Sequence, residues 1–138
     1  MQITWVDASQ RQEVKLFYRQ HMPYARLLQK ESIGVLTHKH QIIASARIRP
    51  IGQLQILTGM LVHPDYRGQG IAHQLMQQLK PTISHGNTYL FALPHLAAFY
   101  VQHGFSAINC APNDIEQLFK KYQTKDKPLV LMGLPCLS

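Results

Sequence analysis

The sequence predicts an α+β domain, built as one mixed, mostly antiparallel sheet with a parallel strand pair and flanking helices. Three observations predict it. Short apolar runs rich in β-branched residues alternate with stretches of helical period. Three such runs follow one another between Ile33 and Val62 with only polar turns between them, the pattern of an antiparallel meander. The third run then leads through a helical stretch to another run at Thr88–Leu93. A helical crossover returns the chain in the same direction, so these two strands pair in parallel.

Ile3–Val6 reads as a short first strand. Asp7, Ala8 and Ser9 offer helix caps. Val14, Leu16, Phe17 and Tyr18 then sit in a helical stretch that runs to about Gln20 and stops before Pro23. A second helical piece is expected at Tyr24–Lys30. Ile33–Thr37 and Gln41–Ile48 read as strands joined by the polar turn His38-Lys39-His40, and Arg49-Pro50-Ile51-Gly52 reads as a turn. Leu54–Val62 is the next strand. Gly59 lies inside it, where a glycine suggests a bulge or a close backbone approach. His63-Pro64-Asp65 ends the strand, since proline cannot donate to a ladder. A helix follows from about Gly70. Ile71, Leu75 and Leu79 form its apolar face with Ala72 and Met76 beside them, while Gln74, Gln77, Gln78 and Lys80 face outward and Pro81 stops it. Thr88–Leu93 is a strand. Pro94 and Gly104 suit the two ends of another helix, in which Leu96, Phe99, Tyr100 and His103 share a face. Phe105–Asn109 reads as strand, Asp114–Tyr122 as helix and Leu129–Leu134 as the last strand.

Composition sets limits on function. The 138 residues fit one domain, with 46% hydrophobic residues for a core and 15% charged, which argues against disorder. The longest apolar stretches are of strand length, well short of the roughly 20 residues of a membrane span. The N-terminus lacks the basic and apolar regions of a secretory signal. Cys110 and Cys136 suggest no disulfide framework, so a cytoplasmic location is expected. Fourteen Lys and Arg against seven Asp and Glu give a charge of +7, which attracts polyanions. The basic residues are spread along the chain, apart from Lys120-Lys121 with Lys125 and Lys127 beyond. They read as a solvated face, and nucleic acid is disfavoured as a partner. No histidine set has metal-ligand spacing. His38 and His40 lack a third ligand, and no metal is expected.

The strand–loop–helix around Arg67 to His73 is the strongest local signal. Gly68 and Gly70 allow a tight turn and close approach of a ligand to the backbone. The new helix presents unpaired N–H groups and a partial positive charge, and Arg67 adds a full charge. The segment lacks the Gly-Lys-Ser/Thr ending of a phosphate-binding P-loop and the third glycine of the dinucleotide fingerprint. On local physics alone it reads equally as an anion site or a packing turn.

Leu61-Val62-His63-Pro64-Asp65-Tyr66-Arg67-Gly68-Gln69-Gly70-Ile71-Ala72 resembles motif A of the GCN5-related N-acetyltransferase (GNAT) family, Arg/Gln-x-x-Gly-x-Gly/Ala, with Arg67, Gly70 and Ala72 in its fixed places. Phe99-Tyr100-Val101-Gln102-His103-Gly104-Phe105 resembles a second family segment, Leu/Phe-Tyr-x-x-x-Gly-Phe. The resemblance implies a single domain over residues 1–138, a three-layer α/β sandwich whose parallel strand pair is splayed. It implies acetyl-CoA as acetyl donor and a primary amine of a small molecule or protein as acceptor, with the protein acting as a monomer or homodimer. By the same resemblance, Gly68, Gln69, Gly70, Ile71, Ala72 and His73 would hold the pyrophosphate of coenzyme A beside Arg67. Met60, Leu61 and Val62 would pair with the pantetheine arm, and a bulge at Gly59 would help open the cleft. A backbone N–H near Leu61 would polarise the thioester carbonyl.

Tyr100 takes the place of the family's general acid by this resemblance. Read without it, Tyr100 is a core residue sharing a face with Leu96 and Phe99. Many relatives carry a glutamate on the strand matching Leu54–Val62, whereas the polar members here are Gln53, Gln55 and Thr58. No carboxylate is obviously placed as general base. His63 and His95 lie nearest the expected cleft in sequence. Acceptor recognition is expected from about Phe17–Lys30, including Tyr18, Tyr24 and Arg26, and from the region after Asn109. The missing glutamate keeps a second reading open, a non-catalytic CoA- or acyl-CoA-binding regulatory module.

Overall fold

The structure is a computed structural model that describes residues 1–136. Its strands are β1 (Thr4–Trp5), β2 (Ser32–His38), β3 (Gln41–Ile51), β4 (Leu54–Val62), β5 (Thr88–Ala92), β6 (Ser106–Ala107) and β7 (Val130–Gly133). Its helices are α1 (Arg11–His21), α2 (Ile71–Leu79), α3 (Ala97–Val101) and α4 (Asn113–Tyr122). The strands hydrogen-bond in the order β1-β2-β3-β4-β5-β7-β6, a mixed sheet that is mostly antiparallel. The one parallel pair is β4 with β5, as the crossover through α2 requires, with Gln55 opposite Thr88 and Ile56 opposite Tyr89. The predicted fold class is therefore the one observed. The chain forms two compact units, Met1–Arg49 with Leu57–Thr82, and Pro50–Ile56 with the chain from Ile83 onward.

In the first unit the helix start is capped one turn early. The Asp7 carboxylate accepts from the backbone N–H groups of Ser9 and Gln10, and the Gln10 side chain accepts from the Asp7 N–H. Val14, Phe17 and Tyr18 then fall at helical spacing on one face of α1 and pack against Ile33, Val35, Ile42 and Leu61. Each such side chain contributes roughly 1.5–3 kcal/mol of burial. Leu16 leaves this face and is 45% exposed. The β2–β3 hairpin turns at Lys39 and His40, both with positive φ, the two-residue geometry that suits strand twist. On α2 the buried residues are Ile71, Leu75, Met76 and Leu79, as the period predicts. Gln78 departs from its expected outward role. Its side chain accepts from the Ile3 N–H and donates to the Met1 carbonyl, holding the N-terminal segment.

The helix expected at Tyr24–Lys30 is absent, and residues 25–28 have no regular structure. Long-range side chains take the backbone groups a helix would have paired internally. Arg11 donates to the Leu28 carbonyl at 2.6 Å, Arg47 donates to the Arg26 carbonyl at 2.6 Å, and the Leu28 N–H donates to Glu31 at 2.7 Å. The would-be helical pair Tyr24 and Leu28 is 69% and 40% exposed, while Ala25 and Leu27, which do pack against the core, are two residues apart and would not share a helical face.

The second unit packs Ile56, Ile115 and Leu131 at its centre, with Leu54, Tyr89, Phe91, Leu118 and Phe119 around them. The turn expected at 49–52 comes later, because β3 continues through Pro50 to Ile51. A proline fits near a strand end, where no N–H is needed. Thr88 is fully buried. Its hydroxyl donates to the Ser84 carbonyl, and its oxygen accepts from the Ser84 N–H and the Gln55 amide. Both late strands are shorter than predicted, while α4 begins one residue early. Asp114 and Glu116 in the first turn of α4, and Lys120 and Lys121 in its last, match its dipole.

Candidate functional site

The motif segment of the first unit runs from the end of β4 to the first turn of α2. Met60 and Val62 are half-buried, and Leu61 is buried in the cluster against α1. The His63 N–H donates to the Ile43 carbonyl at 2.7 Å, which extends the sheet contact one residue past β4. Pro64–Tyr66 then form a single 3-10 turn. The Asp65 N–H donates to Nδ1 of His63 at 3.1 Å, so in neutral His63 the proton sits on Nε2. Nε of Arg67 donates to the Val62 carbonyl at 3.2 Å, folding the exposed arginine back across the loop and bracing it. Gln69 donates to the Asp65 carbonyl at 3.4 Å.

Gly68 and Gly70 carry φ values of +77° and +76°, a left-handed conformation that a side chain resists. A Cβ at either position would meet no atom within 4 Å. The glycines are therefore required by backbone conformation, and the space above them is open. Gly70 is the N-cap of α2 and offers no side chain to cap it. The first-turn N–H groups of a nine-residue helix and its positive dipole end thus meet Arg67 at one exposed loop. The predicted residues from Met60 to His73 are brought together in this way as one continuous strand–loop–helix corner.

Three aromatic side chains gather beside this corner. The rings of His21 and His63 lie 4.7 Å apart, and that of Tyr66 lies 5.8 Å from His63. The Tyr66 hydroxyl is 3.0 Å from Nδ1 of His38. Partial burial, and then the neighbouring His63 and Arg67, lower the pKa of His21. Sequence reasoning named His63 but not its partner on α1. The signal was the position of His21 on the same helical face as Val14, Phe17 and Tyr18.

Tyr100 lies in the second unit, on the short helix α3. It is 8% exposed, with the Phe99 ring at 5.1 Å and the Phe105 ring at 6.2 Å. Burial pushes its phenol up to about 12. Its face-mate Leu96 is 39% exposed, so the predicted apolar face is only partly buried. His95 is exposed just before it. Tyr18 in the first unit is also pushed up to about 12, chiefly by burial, against the opposing effect of its Ser45 hydrogen bond. It is 1% exposed, so it belongs to the core and does not line an open acceptor surface as expected, whereas Tyr24 and Arg26 are exposed.

A phenol whose pKa rises on folding stabilises the folded state fully below its unfolded value near pH 10. That contribution fades as pH climbs through 12. At 1.36 kcal/mol per unit, each tyrosine is worth about 2–3 kcal/mol of stability. Denaturant unfolding at pH 9 and pH 11 is expected to show a clear alkaline loss. Tyr18→Phe and Tyr100→Phe should each flatten it, and an unchanged slope in both variants would contradict the assignment.

No carboxylate lies on β4, whose side chains with polar groups are Gln55 and Thr58, and Gln55 is engaged with Thr88. Among the described residues no group of three or more His, Cys, Asp or Glu could hold a metal ion. No described helix is long and apolar enough to cross a membrane. The cluster that sequence reasoning missed is Glu31, Arg47 and Tyr18 around Gly59. Its signal was a lone arginine within the otherwise uncharged run Ile42–Ile48.

A family model described as "Acetyltransferase (GNAT) domain" matches residues 29–107. No curated protein matches the chain in sequence. Several solved structures share its fold. Escherichia coli ElaA has a TM-score of 0.70 at 18% identity, covering 95% of this chain and 99% of that one. The ribosomal-protein-S18-alanine N-acetyltransferase from Escherichia coli has a TM-score of 0.66 at 18% identity, covering 99% and 94%. An aminoglycoside 6'-N-acetyltransferase complexed with coenzyme A has a TM-score of 0.70 at 14% identity, covering 96% and 95%.

Proposed function

Because the chain belongs to the GNAT acetyltransferase family, we propose that it is an acetyl-CoA-dependent N-acetyltransferase, one domain over residues 1–138, that moves the acetyl group to a primary amine of a small molecule or protein. The observation that carries this reading is the corner at residues 67–73. A glycine-capped helix start with open space above both glycines, next to a braced arginine, suits a pyrophosphate held by backbone N–H groups. We assign that role to Arg67 and to Gly68, Gln69, Gly70, Ile71, Ala72 and His73. Met60, Leu61 and Val62 are assigned to the pantetheine arm, with a backbone N–H near Leu61 polarising the thioester carbonyl. Similarity to a structure that holds coenzyme A supports the choice of cofactor.

The reaction needs a neutral amine, stabilisation of a tetrahedral oxyanion and a proton for the leaving thiolate. We assign the proton to Tyr100, because it stands in the segment that matches the family's general acid and its phenol is protonated at neutral pH. The acceptor side is assigned to residues 17–30 and the chain after Asn109, and the chain acts as a cytoplasmic monomer or homodimer. One observation favours a second reading, a non-catalytic CoA-binding regulatory module: β4 offers no carboxylate to take the amine proton.

Isothermal titration with CoA, acetyl-CoA and duplex DNA tests the first half. Micromolar binding of both CoA species and none of DNA is expected, and absence of CoA binding would sink the proposal. Thiol release from acetyl-CoA over an amine panel tests the second half. Amine-dependent release is expected, whereas tight binding with no release by any amine would favour the regulatory module.

A further inference from the structure

Arg47 is buried at 5% exposure within β3. Its NH1 donates to both carboxylate oxygens of Glu31, at 3.0 and 3.1 Å, and to the Arg26 carbonyl. Glu31 in turn accepts from the Leu28 N–H. The other side of the guanidinium lies against β4 at Gly59. A Cβ built there would fall onto Nε, and Gly59 has a φ of +66°. Nε itself is buried with no hydrogen-bond partner. The Tyr18 hydroxyl donates to the Gly59 carbonyl at 2.7 Å, lies 3.0 Å from the Ser45 hydroxyl, and its ring sits 5.1 Å from the Arg47 carbon Cζ.

Stability does not explain this arrangement. A buried ion pair gains little over well-packed apolar side chains, and an unpaired buried N–H is a cost. What the cluster does is mechanical. It joins residues 26–31 to the backbone of β4 one residue before Met60. The first belongs to the acceptor-side segment of the function proposed above, and the second lies two residues before Leu61, near which that function places the thioester-polarising N–H. We propose that Arg47 is a positioning residue of the acyl-transfer site. With Glu31 and Tyr18 it sets the left-handed backbone at Gly59 and the 22–30 segment in a single arrangement, so that the acyl carbonyl and the incoming amine are placed together. The inference rests on the acetyl-CoA reading, and its test separates the two.

The wild-type chain, labelled with nitrogen-15, is titrated with CoA and then with acetyl-CoA, while the Nε–H resonance of Arg47 (assigned by its loss in Arg47→Met) is followed beside the Gly68 and Gly70 amides. The glycine amides are expected to move with both ligands, and the Arg47 resonance to move with acetyl-CoA well beyond its change with CoA. An arginine that only stabilises the fold would not distinguish the two. If the glycines respond but Arg47 does not, or responds equally to both, the positioning role is overturned and the cofactor site stands. If the glycines do not respond either, the acetyl-CoA reading falls and takes this proposal with it. Hydrogen exchange on Glu31→Gln gives an independent check. Exchange at 22–30 and at 59–61 should rise together, by about tenfold, and loosening of 22–30 alone would overturn the coupling. Tyr18→Phe, which removes one hydroxyl, should raise exchange at 59–61 alone, and no rise there would count against the proposal.

Discussion

Replacing Tyr100 with phenylalanine is expected to lower kcat by about 100-fold while leaving the KM for acetyl-CoA within about twofold. A positioned general acid contributes roughly 10²- to 10⁴-fold, and the substitution removes only the proton donor. The ring contacts with Phe99 and Phe105 are retained, so the packing of α3 should survive. The expected loss in kcat with an unchanged cofactor term is the signature of an interaction made in the transition state and absent from the ground state. With the phenol pushed up to about 12, no loss of rate from its ionisation should occur below about pH 10. Equal rates for the two proteins would remove Tyr100 from the mechanism and leave it as the core residue that its burial also permits.

Replacing Gly70 with leucine is expected to weaken CoA binding by at least about 100-fold, equivalent to about 2.7 kcal/mol. Two causes combine. The left-handed φ of +76° resists a side chain by roughly 1–2 kcal/mol, and the new side chain enters the open space assigned to the pyrophosphate. The fold should persist, because nothing lies within 4 Å of the new Cβ. Gly52→Leu serves as the control for strain alone. It too has a positive φ and open space, but it sits in the β3–β4 turn. Both variants are expected to melt a few degrees lower, and only Gly70→Leu should lose CoA. Equal affinity in the two would contradict the pyrophosphate assignment.

The difference between what could and could not be read from sequence is one of range. The β2–β3 hairpin, the buried face of α2 and the glycine corner depend on spacings of two to four residues, and these are visible along the chain. So was the parallel pair, because chain direction follows from the crossover. The 24–30 segment was misread because its backbone is held by Arg11, Arg47 and Glu31, partners that no local period records. Gln78 looked like a solvated helix residue for the same reason, since its partners are more than seventy residues away. In the candidate site, the cofactor corner was legible in the order Arg67, Gly68, Gly70. The Arg47–Glu31 pair was not, although the isolated charge in an apolar strand was its trace. Tyr100 fell between these cases, since its sequence context suggested both core and catalyst and its burial agrees with either.

The fit of Arg47 against Gly59 also restricts how such a chain can change over time. Any side chain gained at residue 59 collides with the guanidinium unless residue 47 shortens first. Shortening residue 47 first leaves Glu31 with an uncompensated buried charge. Each single step is thus penalised by the other position's present occupant, and only a concerted replacement of all three escapes. Variants would be held to a narrow path, in which the same substitution at residue 59 adds a collision to its backbone strain, or the strain alone, according to the history of the other two.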